Sequence, residues 1–277
     1  MKGLFPESVF FAWLFKDTGL KIKILCILIV LFFSASVAAE TTIRITNGEW
    51  EPYMSEFSPH YGFASHVVSE AFKLEGIKII WRFYPWKRSF IAARKGADWD
   101  ASCCWWPSKE IGKDFFISEP VSKSSVVFFH LKGYKFDWQS MDDLTELKIG
   151  GTFEYEYSPD FMTAMTEKKI FVDLVPSDEL NYRKLLGGRI DLFPNDPVVG
   201  YSQIRNSFSS ETVKRFTHHP KELQSTTLNL IISKRCKNGR QLLETFNTGL
   251  KKLRTSGQYE RMFDGLMIGA YDKKKIK

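Results

Sequence analysis

Trp50 and Tyr53 stand in the turn-rich run Asn47-Gly48-Glu49-Trp50-Glu51-Pro52-Tyr53, directly after the alternating Ile43-Arg44-Ile45-Thr46. Parallel sheets bind ligands in the loops that follow their strands. Two ring faces there would make an aromatic wall able to hold a cation; the competing reading is plain loop packing. Trp86 and Arg88 begin a helical run after Pro85, and Trp105 and Trp106 follow a strand end. Successive side chains of an extended chain diverge, so one of Trp105 and Trp106 is expected to face a cleft and the other the protein body. Gly151-Thr152-Phe153 precedes another helical run, where free N–H groups suit an anion; a tight turn capped by Thr152 competes. Asp196, followed by Pro197, reads either as a helix N-cap with proline in the first helical position or as the counter-charge of a buried cation. Asp191 reads as structural.

Other chemistries lack their residues. No Ser/His/Asp set, metal-ligand spacing or cofactor loop stands out, so the expectation is a binding protein, not an enzyme, with no cofactor. His218 and His219 are adjacent, a poor spacing for zinc. The chain carries 39 basic and 32 acidic residues, with the bases scattered apart from Lys273-Lys274-Lys275, so nucleic-acid binding has no footprint. Aromatic residues make up 15%, more than a core of this size requires.

The first 39 residues read as an export signal. Lys21 and Lys23 precede the apolar run Ile24 to Phe33, and the small residues Ser34-Ala35-Ser36-Val37-Ala38-Ala39 follow. That order of basic flank, apolar core and small-residue site predicts cleavage after Ala38 or Ala39 and a periplasmic location. The apolar core is shorter than the ~20 residues of a spanning helix. Cys103, Cys104 and Cys236 would remain. An odd number argues against a disulfide scaffold. A bridge between neighbours is strained, so Cys103 and Cys104 are expected first to be small apolar strand residues, with a redox pair as the competing reading.

After the leader the pattern is strand, loop, helix, repeated, which predicts an α/β protein with helices covering its sheets. Strands are expected at 43–46, 77–83, 99–104, 126–129, 147–150, 170–174, 190–193 and 228–233. Helices are expected at 63–72, 86–95, 157–167, after Ser177, after Pro197, at 242–253 and at 259–267. Gly96 should cap the second of these.

The order of four segments resembles the extracellular solute-binding proteins of the amino-acid type (family 3) that serve ABC transporters. The segments are Asn47 to Tyr53; Lys109-Glu110-Ile111-Gly112-Lys113-Asp114-Phe115-Phe116-Ile117-Ser118-Glu119-Pro120-Val121; Asp143-Leu144-Thr145-Glu146-Leu147-Lys148-Ile149-Gly150-Gly151-Thr152; and Leu185-Leu186-Gly187-Gly188-Arg189-Ile190-Asp191-Leu192-Phe193-Pro194-Asn195-Asp196. The resemblance covers 42 to about 271. It implies a two-lobed, periplasmic-binding-protein-like type II fold with mixed sheets flanked by helices. Lobe one would hold 40–128 and 226–277 and lobe two 129–225, with crossings near Phe129–Lys132 and Gln224–Thr227 and ligand between the lobes. It also implies a monomer that passes a small polar solute, an amino acid or amine, to an inner-membrane ABC permease. Two other readings are a cyclohexadienyl-dehydratase-like enzyme on the same fold and a sensor docking on a membrane receptor.

One departure matters. Family members hold the ligand carboxylate with an arginine where this sequence has Glu110, beside Lys109, and Arg88 is the candidate substitute. Asp196 falls on the acidic position that pairs with a ligand amine. Keeping the anion and losing the cation favours an amine or cationic ligand over a zwitterion.

Overall fold

A computed structural model describes residues 41–153 and 155–273; the leader expected from sequence lies outside the described residues. In chain order the strands are β1 (Thr41–Asn47), β2 (Ile77–Phe83), β3 (Ala101–Trp105), β4 (Phe115–Leu131), β5 (Ile149–Thr152), β6 (Val172–Val175), β7 (Phe193–Asn195) and β8 (Phe216–Ser233). The helices are α1 (Phe63–Lys73), α2 (Trp86–Lys95), α3 (Ile111–Asp114), α4 (Pro159–Thr166), α5 (Asp178–Leu186), α6 (Pro197–Ser207), α7 (Ser210–Val213), α8 (Gly239–Thr255) and α9 (Gln258–Met267). Short 3-10 turns sit at Pro59–Tyr61 and Met141–Leu144. No described helix is long and apolar enough to cross a membrane.

Two long antiparallel strands organise the molecule. β4 and β8 pair from Phe115 opposite Ser233 to Leu131 opposite Phe216. At one end β8 also pairs with β3, which continues to β1 and β2. At the other end β4 pairs with β7 through Val127, Phe128 and Phe129. A bridge from Leu192 to Ile149 brings the parallel pair β5–β6 alongside β7. Among the described residues, β4 from Pro120 to Val126 pairs with β8 alone, and its register slips around Pro120 and after Val126. Such irregularities bend and twist a ribbon.

Sequence reading saw only 126–129 and 228–233 of these strands. The missed parts, 115–125 and 216–227, are rich in Ser, Thr, His and Lys, with Pro120 and Pro220 inside, so they lack the apolar alternation that marks a half-buried strand.

Each end of the ribbon has its own core. Ile43, Ile45, Phe63, Phe72, Leu230, Ile232, Phe246 and Leu250 belong to one buried cluster, in which α1, α8 and α9 pack together. Phe128 belongs to a second cluster with Leu144, Ile149 and Phe161, whereas Phe129 belongs to a third with Tyr182, Phe193 and Phe216. The period of two along β4 thus feeds opposite faces of the sheet. Gly96, at φ +64°, ends α2 as expected, because the left-handed cap favours glycine.

Candidate functional site

Tyr53 is delivered by a tight loop. Trp50 and Met54 exchange backbone hydrogen bonds (2.7 and 3.0 Å), which closes residues 50–54 into a turn with the Trp50 and Tyr53 rings 5.1 Å apart. The loop is then anchored on α1. That helix starts without a side-chain cap, and the carbonyls of Pro52 and Tyr53 accept from Phe63 N and Ala64 N (3.0 and 2.8 Å) in its place. Gly62, at φ +91°, makes the close approach possible, because a Cβ there would sit 2.5 Å from the Tyr53 carbonyl oxygen.

Asp196 ends β7's loop and begins α6. Its Oδ1 accepts from Val198 N (2.9 Å) and Val199 N (3.2 Å), so the cap reading is realised. Its Oδ2 accepts from the Ser124 hydroxyl on the β4 ribbon (2.9 Å). The Tyr53 hydroxyl, 2% exposed with the rest of its side chain, also lies against this carboxylate. Asp196 is itself 2% exposed, and burial raises its pKa to about 6 against the hydrogen bonds that lower it. Burial first, and then the Asp196 charge, push the Tyr53 hydroxyl well above its ordinary value, so it stays a neutral donor. Among the described residues, the groups that hydrogen-bond Asp196 are all neutral.

That raised pKa carries a stability consequence of definite sign. The folded state holds the Asp196 proton more tightly than the unfolded chain. The contribution of Asp196 therefore falls as pH rises from its ordinary 3.8 to about 6 and stays flat above. The wild type minus Asp196→Asn difference in urea midpoint, measured from pH 4 to 7 without ligand, is expected to grow more unfavourable to the wild type up to about pH 6 and then to level off. A difference independent of pH would contradict the assignment.

The remaining candidates separate into groups. Trp86 packs on Gly48, donates from Nε1 to the Glu49 carbonyl (3.3 Å) and meets Trp105 edge to face at 5.1 Å. Trp105 donates to the Ser102 hydroxyl (2.9 Å) and packs with Phe90. Trp106 is packed against both the first and the second apolar cluster, so the two neighbouring tryptophans do diverge. The Arg88 guanidinium lies over the Tyr84 ring at 4.3 Å. Thr152 presents no free cradle: its N–H donates to the Tyr157 hydroxyl (3.0 Å) and its own hydroxyl to Asp178 (2.5 Å). The next amide, of Phe153, donates to the Val175 carbonyl.

Cys103 and Cys104 are joined in a disulfide, which corrects the expectation of two unbridged strand residues. The pair lies where the regular register of β3 against β8 breaks, between Ser102 and Trp105, so it does not sit in a regular stretch of strand. Cys104 N donates to the Met54 sulfur (3.2 Å), which ties the pair to the Tyr53 loop.

Sequence reading missed Ser124 and a second buried carboxylate. Asp178, on the first turn of α5, accepts from Thr152, Tyr155 (3.1 Å), Gln203 (2.8 Å) and Asn195 (3.3 Å). Asn195 also accepts from Asp196 N (2.8 Å), so one asparagine connects the two acids. The only available signal was Ser177-Asp178 at a helix start, which reads as capping alone. Among the described residues no group of three or more His, Cys, Asp or Glu is set to hold a metal.

No family model matches the sequence, and neither does any curated protein sequence. Solved structures do match in fold. A histidine kinase sensor domain with similarity to periplasmic binding proteins aligns at TM-score 0.63 and 16% identity, over 82% of this chain and 97% of its own. An ancestral cationic amino-acid solute-binding protein, also described as a precursor of cyclohexadienyl dehydratase, aligns at 0.62 and 18%, over 81% and 95%. The second substrate-binding domain of Lactococcus lactis GlnP, in an open conformation, aligns at 0.62 and 17%, over 86% and 98%. The described chain therefore has the two-lobed, periplasmic-binding-protein-like fold, with mixed sheets flanked by helices, that amino-acid-binding proteins of ABC transporters share.

Proposed function

We propose that this chain is an exported solute-binding protein that captures a small amine-bearing solute between its lobes and hands it to an inner-membrane ABC permease. The observation that carries the reading is Asp196, a buried carboxylate whose hydrogen-bond partners are all neutral. A buried anion is costly until a cation joins it, and a ligand ammonium or guanidinium would complete it. Trp50 and Tyr53 would supply the aromatic wall beside that cation. Trp106 would close the far side, with Trp86 backing the Trp50 loop through Gly48 and the Glu49 carbonyl and Trp105 packed behind Trp86.

In this reading one lobe holds 40–128 and 226–277 and the other 129–225, and the β4–β8 ribbon beside those boundaries is the hinge. Hinge closure on a ligand is a common motion of two-lobed proteins. That the matched structures include a cationic amino-acid solute-binding protein and a substrate-binding domain assigned to an amino-acid ABC transporter supports the importer role; the match to a histidine kinase sensor domain is the observation that favours a sensing role instead.

A thermal-shift panel tests the reading. L-arginine, putrescine, choline, glucose and succinate are compared over a range of concentrations. Specific binding raises the midpoint progressively with concentration above the dissociation constant. One or more of the three amines is expected to do so, and a shift with glucose or succinate alone would overturn the proposal.

A further inference from the structure

Helix α6 carries Asp196 at its start, and further along it carries a polar row, Ser202, Arg205 and Asn206, at the three- and four-residue spacing of one helical face. That row meets residues from the opposite half of the molecule. The Ser202 hydroxyl donates to Asp272 Oδ1 (2.6 Å), and Arg205 donates from Nε to Asp272 Oδ2 (3.0 Å) with its NH2 nitrogen at 2.9 Å. Asn206 Nδ2 donates to Glu51 Oε1 (3.0 Å), the same oxygen that accepts from Lys273 N (2.6 Å). Glu51 belongs to the loop that presents Trp50 and Tyr53, and Asp272 follows α9, which packs on α1. Above this polar row Val199 is fully buried in the first cluster, the one that contains Tyr53 and Tyr271.

We infer that Glu51 and Asp272 are positioning residues that latch α6, and with it the Asp196 carboxylate, onto the other lobe. The inference rests on the two-lobed binding reading. Asp272 is suited to the part: it is mostly buried (16% of its side chain exposed), fixed by a turn onto the Gly269 carbonyl, and holds an arginine and a hydroxyl at once. Shared acceptors of this kind bind more firmly than an isolated surface pair. Both carboxylates touch the helix at its second and third turns, away from the Asp196 cap, so their loss frees the helix and leaves the hydrogen bonds of that cap in place.

The test needs no ligand, so its failure is separable from failure of the amine reading. Small-angle scattering and amide hydrogen exchange are recorded on the purified ligand-free protein, as wild type and as Glu51→Ala/Asp272→Ala. The double variant is expected to show a larger radius of gyration. Exchange at Val198, Val199 and Gly200 is expected to quicken about fivefold, with exchange in α1 unchanged. Because the variant could lose stability generally, Arg205→Asp alone and the swapped pair Arg205→Asp/Asp272→Arg are measured beside it, and the swap is expected to lie nearer wild type than the single variant in both readouts. An unchanged radius with unchanged α6 exchange, or exchange quickened equally in α1 and α6, would overturn the latch.

Discussion

Replacing Asp196 with asparagine is expected to abolish amine binding while making the ligand-free protein more stable. The two effects share one cause. Burial, less the hydrogen bonds that oppose it, raises the acid from 3.8 to about 6, a net cost of roughly 3 kcal/mol at neutral pH. Asparagine keeps an oxygen for Val198 N and Val199 N, so the cap survives and that cost is removed. The net gain in unfolding free energy should be about 1–3 kcal/mol, read as a higher urea midpoint with unchanged slope. A bound ammonium would meanwhile lose its only anionic partner in this group. Losing one member of a buried charged pair costs about 2–5 kcal/mol, so affinity by calorimetry should drop by about a hundredfold or more. A variant that binds amines normally, or that is less stable than wild type without ligand, would contradict the account.

The second large effect concerns the return of the C-terminal helices to the first half of the chain. Gly249 in α8 faces α1 so closely that a Cβ would lie 2.0 Å from the Ala71 carbonyl oxygen. Alanine in an open helix gains about 1 kcal/mol over glycine. Here the obstacle is backbone, which cannot rotate aside, and overpacking costs typically 1–3 kcal/mol and sometimes more. Gly249→Ala is therefore expected to be destabilising by about 2 kcal/mol net and Gly249→Val by more, measured by urea unfolding. Stabilisation by alanine would mean that α8 does not pack on α1 as described.

How much of this was legible in the sequence differs by element. The helices at Phe63–Lys73 and Trp86–Lys95 and the strand at Ile77–Phe83 could be bounded closely, because apolar spacing and Gly96 mark them. The two long strands of the central ribbon could not. Their middle residues are largely polar even where buried, as at Ser122 and Ser124, so the apolar alternation that marks a strand is missing there. Tyr53 and Asp196 were legible as candidates, one as an aromatic after a strand and the other by resemblance. That they touch each other was not, since 143 positions separate them and only the fold closes that gap. Ser124 was hidden in a polar stretch, and Asp178 behind an ordinary capping pattern. The Cys103–Cys104 bridge ran against the expectation for a regular strand, and it became readable only once the register break beside it was known.

If Asp196 holds an amine between the lobes, a crystal structure of the protein with whichever of L-arginine and putrescine binds more tightly will show it. The ligand nitrogen is expected within hydrogen-bond distance, about 2.7–3.2 Å, of an Asp196 carboxylate oxygen, with the Trp50 or Tyr53 ring against the ligand. A ligand found between the lobes with its nitrogen on other groups, or bound outside the space between them, would contradict it.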